Sequence, residues 1–245
     1  MIVTDFHSHI LPSVDDGSSS TDMSMEMLRM EAEQGIRHVI ATPHFYPQHD
    51  SPDRFLERRE RAMDRLGEAM GAYDGLPEIT LGAEVYYFRG MSESDQLPRL
   101  TIGEKKCILV EMPHAPWTED MYKELEAIWT QRGILPIIAH VDRYIRPLRT
   151  YGIPERLSDL PVLVQANAEF FLNKRTAGMA LRMLKADRIH LLGSDCHNIT
   201  TRKPNLGDAL DCIHRKLGEP TLQRIETYQR NVLGRELTHN PGLKE

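Results

Sequence analysis

The sequence predicts an α/β fold in which parallel strands alternate with covering helices, and three observations carry that prediction. Short β-rich apolar runs alternate with longer segments of helical period. Most of those runs are continuously apolar, as in strands covered by helices rather than half-solvated hairpins. Residues suited to metal coordination recur at the late ends of the runs. Seven strand-then-helix units in succession fit either an open doubly wound sheet or a closed barrel, and pattern alone leaves both open.

The strand candidates, in order, are Val3–Ile10, His38–His44, Ile79–Tyr87, Cys107–Pro113, Leu135–Val141, Val162–Ala168 and His190–Asp195. Between them, Ser51, Pro52 and Asp53 supply an N-cap, a first-turn proline and an early acid for one helix. Thr118, Glu119 and Asp120 repeat that logic for another. Leu206, Ala209, Leu210, Ile213 and Leu217 share one helical face. Residues 1–245 are expected to form a single domain. A helical tail beginning between about Glu219 and Leu222 is expected to pack on its outside, with its last residues frayed.

Composition narrows the functional classes. With 245 residues, 40% hydrophobic and 27% charged, the chain can bury a substantial core without covalent staples. Cys107, Cys196 and Cys212 are too few for a disulfide framework and fit a reducing compartment, so a cytoplasmic location is expected. Asp5, His7 and His9 interrupt any N-terminal leader pattern. No apolar run approaches the ~20 residues that span a bilayer, so no membrane insertion is expected. A net charge of −6 argues against nucleic acid as a partner.

The chemistry lies at the strand ends. His7 and His9 close the first candidate, His44 the second; Glu84, Glu111 and His140 come late in the third, fourth and fifth. Asp195 and His197 close the seventh. In a parallel barrel all strand C-termini open on one face, so these dispersed residues would converge on one basin. In an extended strand, residues two apart point the same way, so His7 and His9 can grip one cation, as can Asp195 and His197. The Asp15–Asp16–Gly17 turn just beyond the first strand offers an oxygen donor from one of its two acids. Ionised glutamates inside apolar strands are costly unless paired or coordinated; a buried ion pair with arginine is the competing explanation for each alone. Cys196 and Arg202 show the C-x5-R spacing of thiol phosphatases. The intervening residues lack glycine, and Asp195 beside the thiol disfavours a thiolate, so Cys196 reads as a packing residue.

His7–Ser8–His9, Asp15–Asp16–Gly17, Thr42–Pro43–His44, the strand glutamates, Ala139–His140 and Ser194–Asp195–Cys196–His197, in that order, resemble the polymerase and histidinol phosphatase (PHP) superfamily. Within it, the spelling is most similar to the bacterial manganese-dependent protein-tyrosine phosphatases of capsule and exopolysaccharide clusters. The resemblance spans nearly the whole chain. It implies a distorted seven-stranded (β/α)7 TIM-like barrel holding three divalent cations, manganese foremost, with iron, zinc or magnesium as alternatives. Carried over by position, the metal ligands are His7, His9, Asp16, His44, Glu84, Glu111, His140, Asp195 and His197, with Glu111 bridging two ions and Asp16 preferred over Asp15. Arg143 and Arg202 match positions that bind the substrate phosphate. The family usually shows H-P-E-R-Y where this chain has His140–Val141–Asp142–Arg143–Tyr144, which puts the local loop shape in question. The implied reaction is hydrolysis of phosphotyrosine on a protein by metal-activated water, the substrate being a cognate tyrosine kinase that controls capsule or exopolysaccharide synthesis. A small-molecule phosphatase, such as one for histidinol phosphate, is the alternative.

Overall fold

The computed structural model describes residues 3–103, 106–145 and 152–234. The predicted alternation is present, although two of the expected strands are each broken in two. Strand β1 (Thr4–Ser8) leads to helix α1 (Thr21–Glu33), then β2 (His38–Ala41), β3 (His44–Phe45) and α2 (Pro52–Met70). Next come β4 (Glu78–Leu81), β5 (Glu84–Tyr86), β6 (Cys107–Glu111), α3 (Glu119–Arg132), β7 (Leu135–Ile138) and the short α4 (Asp142–Ile145) and α5 (Ile153–Leu157). The chain continues through β8 (Leu163–Asn167), α6 (Ala168–Leu172), α7 (Ala177–Lys185), β9 (Leu191–Gly193), α8 (Leu206–Leu217) and α9 (Glu219–Leu233). The caps read from the sequence are in place. Ser51 accepts from the Arg54 N–H with Pro52 in the first turn, and Thr118 accepts from the Met121 N–H.

Every strand pair is parallel, in the orders β1-β2-β4 and β3-β5-β6-β7-β8-β9. Pro43, which has no N–H to give, and Gly82 interrupt what the sequence reads as continuous strands. Hydrogen bonds carry the ladder across the breaks, from Gly82 N–H to the Ala41 carbonyl and from Glu84 N–H to the Pro43 carbonyl. The sheet curls until its first and last strands meet. Asp195 N–H donates to the His7 carbonyl, His9 N–H donates to the Cys196 carbonyl, and Ser8 bridges Cys196 in parallel. This is a curled parallel sheet with helices outside it.

Two layers of core follow from strand alternation. Phe6, Ile40, Leu109, Ile137, Leu163 and Leu191 form a fully buried inner cluster, while the opposite faces pack on the helices. Helix α9 departs from the expectation of an outer tail. Its Val232 joins the inner cluster, and Gln229 bonds to both the N–H and the carbonyl of Thr4. The helix therefore stoppers the end of the curl where the strands begin. The expected fraying concerns residues 235–245, which lie outside the described residues.

Candidate metal centre

All nine residues expected as ligands meet at the C-terminal end of the strands. A register irregularity in β1 between Asp5 and Ser8 makes this possible. Without it, a strand that turns Phe6 inward would turn His7 outward; a bulge re-aims the side chain. His7 Nε2 lies 3.1 Å from His9 Nε2, 3.1 Å from Glu84 Oε2 and 3.5 Å from Asp195 Oδ1. Asp16 Oδ1 stands 3.6 Å from His44 Nε2 and 3.5 Å from His197 Nε2. His140 Nε2 is 2.7 Å from Glu84 Oε1 and 3.8 Å from Glu111 Oε1. Three overlapping donor groups result: His7, His9 and Asp195; His9, Asp16, His44 and His197; and His44, Glu84 and Glu111. Glu84 sits nearer their middle than Glu111, touching four imidazoles.

The donor atoms suit cations better than one another. His44 Nδ1 and Glu84 Oε2 are 2.9 Å apart, yet both are buried without a hydrogen-bond partner. Glu111 Oε2 and His197 Nε2 are likewise buried and unpartnered. A buried polar atom without a partner costs about 1–3 kcal/mol, so several aimed at one region call for a positive centre. Hydrogen bonds behind the rings leave ligating lone pairs facing inward. His9 Nδ1 contacts Asp15 Oδ2 at 2.7 Å, His7 Nδ1 faces Gln165 Oε1 at 3.3 Å, and His197 Nδ1 donates to the Asp195 carbonyl at 3.0 Å. Each places the ring proton on Nδ1 and frees Nε2, the usual support of a metal-bound histidine.

Burial and mutual charge set the protonation states. Burial lowers His140 to about 4, and burial with the neighbouring His9 does the same for His197, so both rings are neutral near pH 7. Burial and the adjacent Glu84 push Glu111 up to about 7. Burial alone would raise Asp195, but His7 and His9 hold it well below the usual carboxylate range. Two of the nine residues, His140 (φ 32°) and Asp195 (φ 53°), have left-handed backbones, a strain that packed surroundings must support.

Arg143 and Arg202 both reach this basin. Arg143 donates to Asp195 Oδ2, and Arg202 donates to Asp195 Oδ1 at 2.8 Å. Asp15, the other member of the acid pair, has a side chain only 6% exposed: besides His9 it accepts from the N–H groups of His44 (2.9 Å) and Gly17 (3.0 Å). Sequence reasoning missed Gln165 and Asn167. Gln165 accepts from His140 N–H at 2.6 Å, and Asn167 donates to Asp195 Oδ2 at 2.9 Å. Two amides two residues apart at the end of an apolar strand were the available signal. It also gave no role to His49, which lines a cavity of about 430 Å³ with Asp16, His44, Tyr46 and Arg58. Cys196 is fully buried, its thiol facing Glu31 at 4.0 Å and pushed well up by burial, which excludes it as a nucleophile.

A parallel α/β curl with histidines and carboxylates gathered at its strand ends defines a curled-sheet protein whose side chains can bind metal at one end of the sheet. The chain belongs to the capsular polysaccharide synthesis CpsB/CapC family, whose profile matches residues 3–233. It is 32% identical over 227 residues to the tyrosine-protein phosphatase YwqE of Bacillus subtilis, covering 87% of this chain and 85% of that protein. It is 28% identical over 229 residues to the tyrosine-protein phosphatase CpsB of Streptococcus pneumoniae, covering 87% and 90%. A crystal structure from work on YwqE and CpsB, described as metal-dependent tyrosine phosphatases, superposes with a TM-score of 0.84 at 24% identity, covering 99% of this chain and 100% of that one. The histidinol phosphate phosphatase of Lactococcus lactis shares the fold more distantly, with a TM-score of 0.52 at 14% identity and coverage of 92% and 93%.

Proposed function

We propose that this protein is a metal-dependent phosphotyrosine-protein phosphatase. The convergence of eight donor residues in overlapping groups, with His140 against Glu84 beside them and several of their atoms buried and unpartnered, at one end of a parallel curl carries the reading. The naming of its relatives as tyrosine-protein phosphatases supports it. The whole chain acts as a single domain, a distorted seven-stranded barrel in which β2 with β3, and β4 with β5, each count as one bent strand. The hydrogen bonds between β1 and the segment after β9 support that closure.

His7, His9, Asp16, His44, Glu84, Glu111, His140, Asp195 and His197 would hold three divalent cations, manganese foremost. Nitrogen and oxygen donors without thiolate suit Mn²⁺, Fe²⁺, Zn²⁺ or Mg²⁺. When bound, such ions lower the pKa of water and neutralise phosphoryl oxygens. Arg143 and Arg202, on the rim, orient the phosphate and offset charge on its oxygens as the ester bond breaks. Tyrosine leaves as a phenolate with pKa ≈ 10, so no strong general acid is required. The substrate would be a cognate tyrosine kinase governing capsule or exopolysaccharide synthesis, in the cytoplasm. Among the described residues no helix is long and apolar enough to cross a membrane.

The test combines elemental analysis of the purified protein with phosphotyrosyl-peptide hydrolysis before chelation, after chelation, and after Mn²⁺ is restored. Activity that disappears and returns is expected, with kcat/KM for the peptide well above that for L-histidinol phosphate. Activity indifferent to chelation, or a preference for histidinol phosphate, would overturn the proposal.

A further inference from the structure

The two short strands that end at the pocket carry a second tier of side chains beyond the donors. Strands β3 and β5 pair with His44 opposite Glu84. Side chains two apart along an extended chain point the same way, so Tyr46 and Tyr86 follow His44 and Glu84 one step farther out. The Tyr46 ring stacks on His44, with centroids 5.1 Å apart and planes at 29°, and lies 5.6 Å from the Tyr86 ring. Tyr86 stands opposite Glu111 in register. Both rings are half-buried, and Tyr46 borders the same cavity as Asp16, His44 and Arg58. An ester group that leaves the donors through the cavity bordered by Asp16, His44 and Arg58 passes Tyr46.

We infer that Tyr46 and Tyr86 form the wall of an aryl subsite that selects aromatic over alkyl phosphate monoesters by stacking on the ring bearing the phosphate. The inference rests on the phosphatase reading above and adds to it the residues that set substrate class. Offset and tilted ring pairs are favourable at centroid separations of about 4.5–7 Å, the range the two tyrosines already occupy with their neighbours. An alkyl phosphate has no ring to place there and gains nothing from the wall.

The experiment measures calorimetric binding of phenylphosphonate and methylphosphonate to the metal-loaded protein, as wild type, Tyr46→Ala, Tyr86→Ala and Tyr46→Phe. Wild type should bind phenylphosphonate more tightly. Each alanine variant should weaken phenylphosphonate by about tenfold, or about 1.4 kcal/mol, and leave methylphosphonate within about twofold. Tyr46→Phe should behave as wild type. Equal weakening of both ligands would mean that the tyrosines only position His44, and it would overturn the inference; so would unchanged phenylphosphonate affinity. Should an alanine variant prove unfolded by circular dichroism, Tyr46→Leu, which keeps bulk without an aromatic face, gives the same ratio. Phosphotyrosyl-peptide turnover by wild type is scored separately: its absence beside intact phenyl selectivity would sink the phosphatase reading alone.

Discussion

Asp15 and Asp16 are adjacent in sequence and opposite in burial, so replacing each by asparagine should separate architecture from ligation. The Asp15 side chain is 6% exposed and that of Asp16 is 68% exposed. Asp15 meets three partners: His9 Nδ1 at 2.7 Å and the N–H groups of His44 and Gly17. Burial favours its protonation, but His9 and those donors outweigh it and hold the group ionised, below the usual carboxylate range. Each hydrogen bond to a charged group is worth about 1.5–3 kcal/mol, and they do not add fully. Asp15→Asn keeps the shape and removes the charge, so a loss of about 2–4 kcal/mol is expected. At about 2–4 °C per kcal/mol for a chain of this size, chelated protein should melt about 5–15 °C lower. Metal affinity should also fall by about 10–100-fold, since His9 loses the partner that orients it.

Asp16→Asn should do the reverse. Among the described residues its carboxylate forms ion-pair contacts with the imidazole nitrogens of His44 and His197. Exposed substitutions of that kind change stability by about 0.5 kcal/mol or less, so the chelated melting temperature should move by about 2 °C at most. The metal content of the loaded protein should drop and turnover with it. Scanning calorimetry with and without chelator, alongside elemental analysis, reads both. An Asp16→Asn protein with the wild-type metal complement, or an Asp15→Asn protein with an unchanged chelated melting temperature, would refute the division of labour.

The remaining predictions address other parts of the molecule. Cys196→Ala should keep kcat/KM within about threefold, because a thiol buried against Glu31 has no access to phosphorus; near-total loss at unchanged metal content would reinstate thiol chemistry. Arg143→Ala and Arg202→Ala should each lower kcat/KM by about 10–100-fold through loss of charged hydrogen bonds, with lysine restoring it only in part; unaltered kinetics would remove them from the phosphate site. His190 is buried and lowered by that burial to about 4 from its ordinary 6.5. Its neutral ring accepts from the Val164 N–H, so the unfolded chain binds the proton more tightly. The resulting stability, about 3 kcal/mol, is whole above pH 6.5 and drains away as pH falls toward about 4. His190→Gln should flatten that limb in denaturant titrations, and an unchanged pH slope would show that other groups carry it. At Gly193 an added Cβ would stand 2.5 Å from His7 Cβ and 2.8 Å from His7 N. Gly193→Ala should therefore cost about 1–3 kcal/mol by prising β9 from β1, and a wild-type melting temperature would contradict that close approach.

The convergence of the candidate donors was legible because their chemistry is expensive where they stand. A glutamate or histidine inside an apolar strand must be paid for, so Glu84, Glu111 and His140 stood out against Val85, Val110 and Ala139. The parallel alternation was legible for a similar reason, since continuous apolar runs need cover on both faces. Gln165, Asn167, Tyr46 and Tyr86 carried no comparable cost signal, because amides and phenols sit in ordinary strands. The irregularity in β1 left no mark either: one residue of slip changes which face His7 takes, but not the composition around it. Val232 lies in the tail expected to pack on the outside, and the closing of the curl turns that tail into a stopper.

The strand break before His44 ties the acid turn to the fold. Strand β2 pairs with β1 as far as Ser8 and Ala41, and Thr42 N–H still reaches the Ser8 carbonyl. Past Pro43 the pairing with β1 stops, and among the described residues β3 pairs with β5 alone. Residues 15–18 fill the gap. His44 N–H donates to Asp15 Oδ2, and the His9 carbonyl accepts from Ser18 N–H. Both backbone groups would otherwise be stranded at a buried strand end, which proteins rarely tolerate. The turn thus replaces the missing ladder with Asp15 while delivering Asp16 to the basin beside His44 and His197. Gly17 completes the fit, because a Cβ there would lie 2.3 Å from the His9 carbonyl oxygen. Two acids and a glycine in sequence are therefore three separate requirements: one carboxylate for the backbone, one facing the imidazoles of the basin, and no side chain where the turn crosses β1.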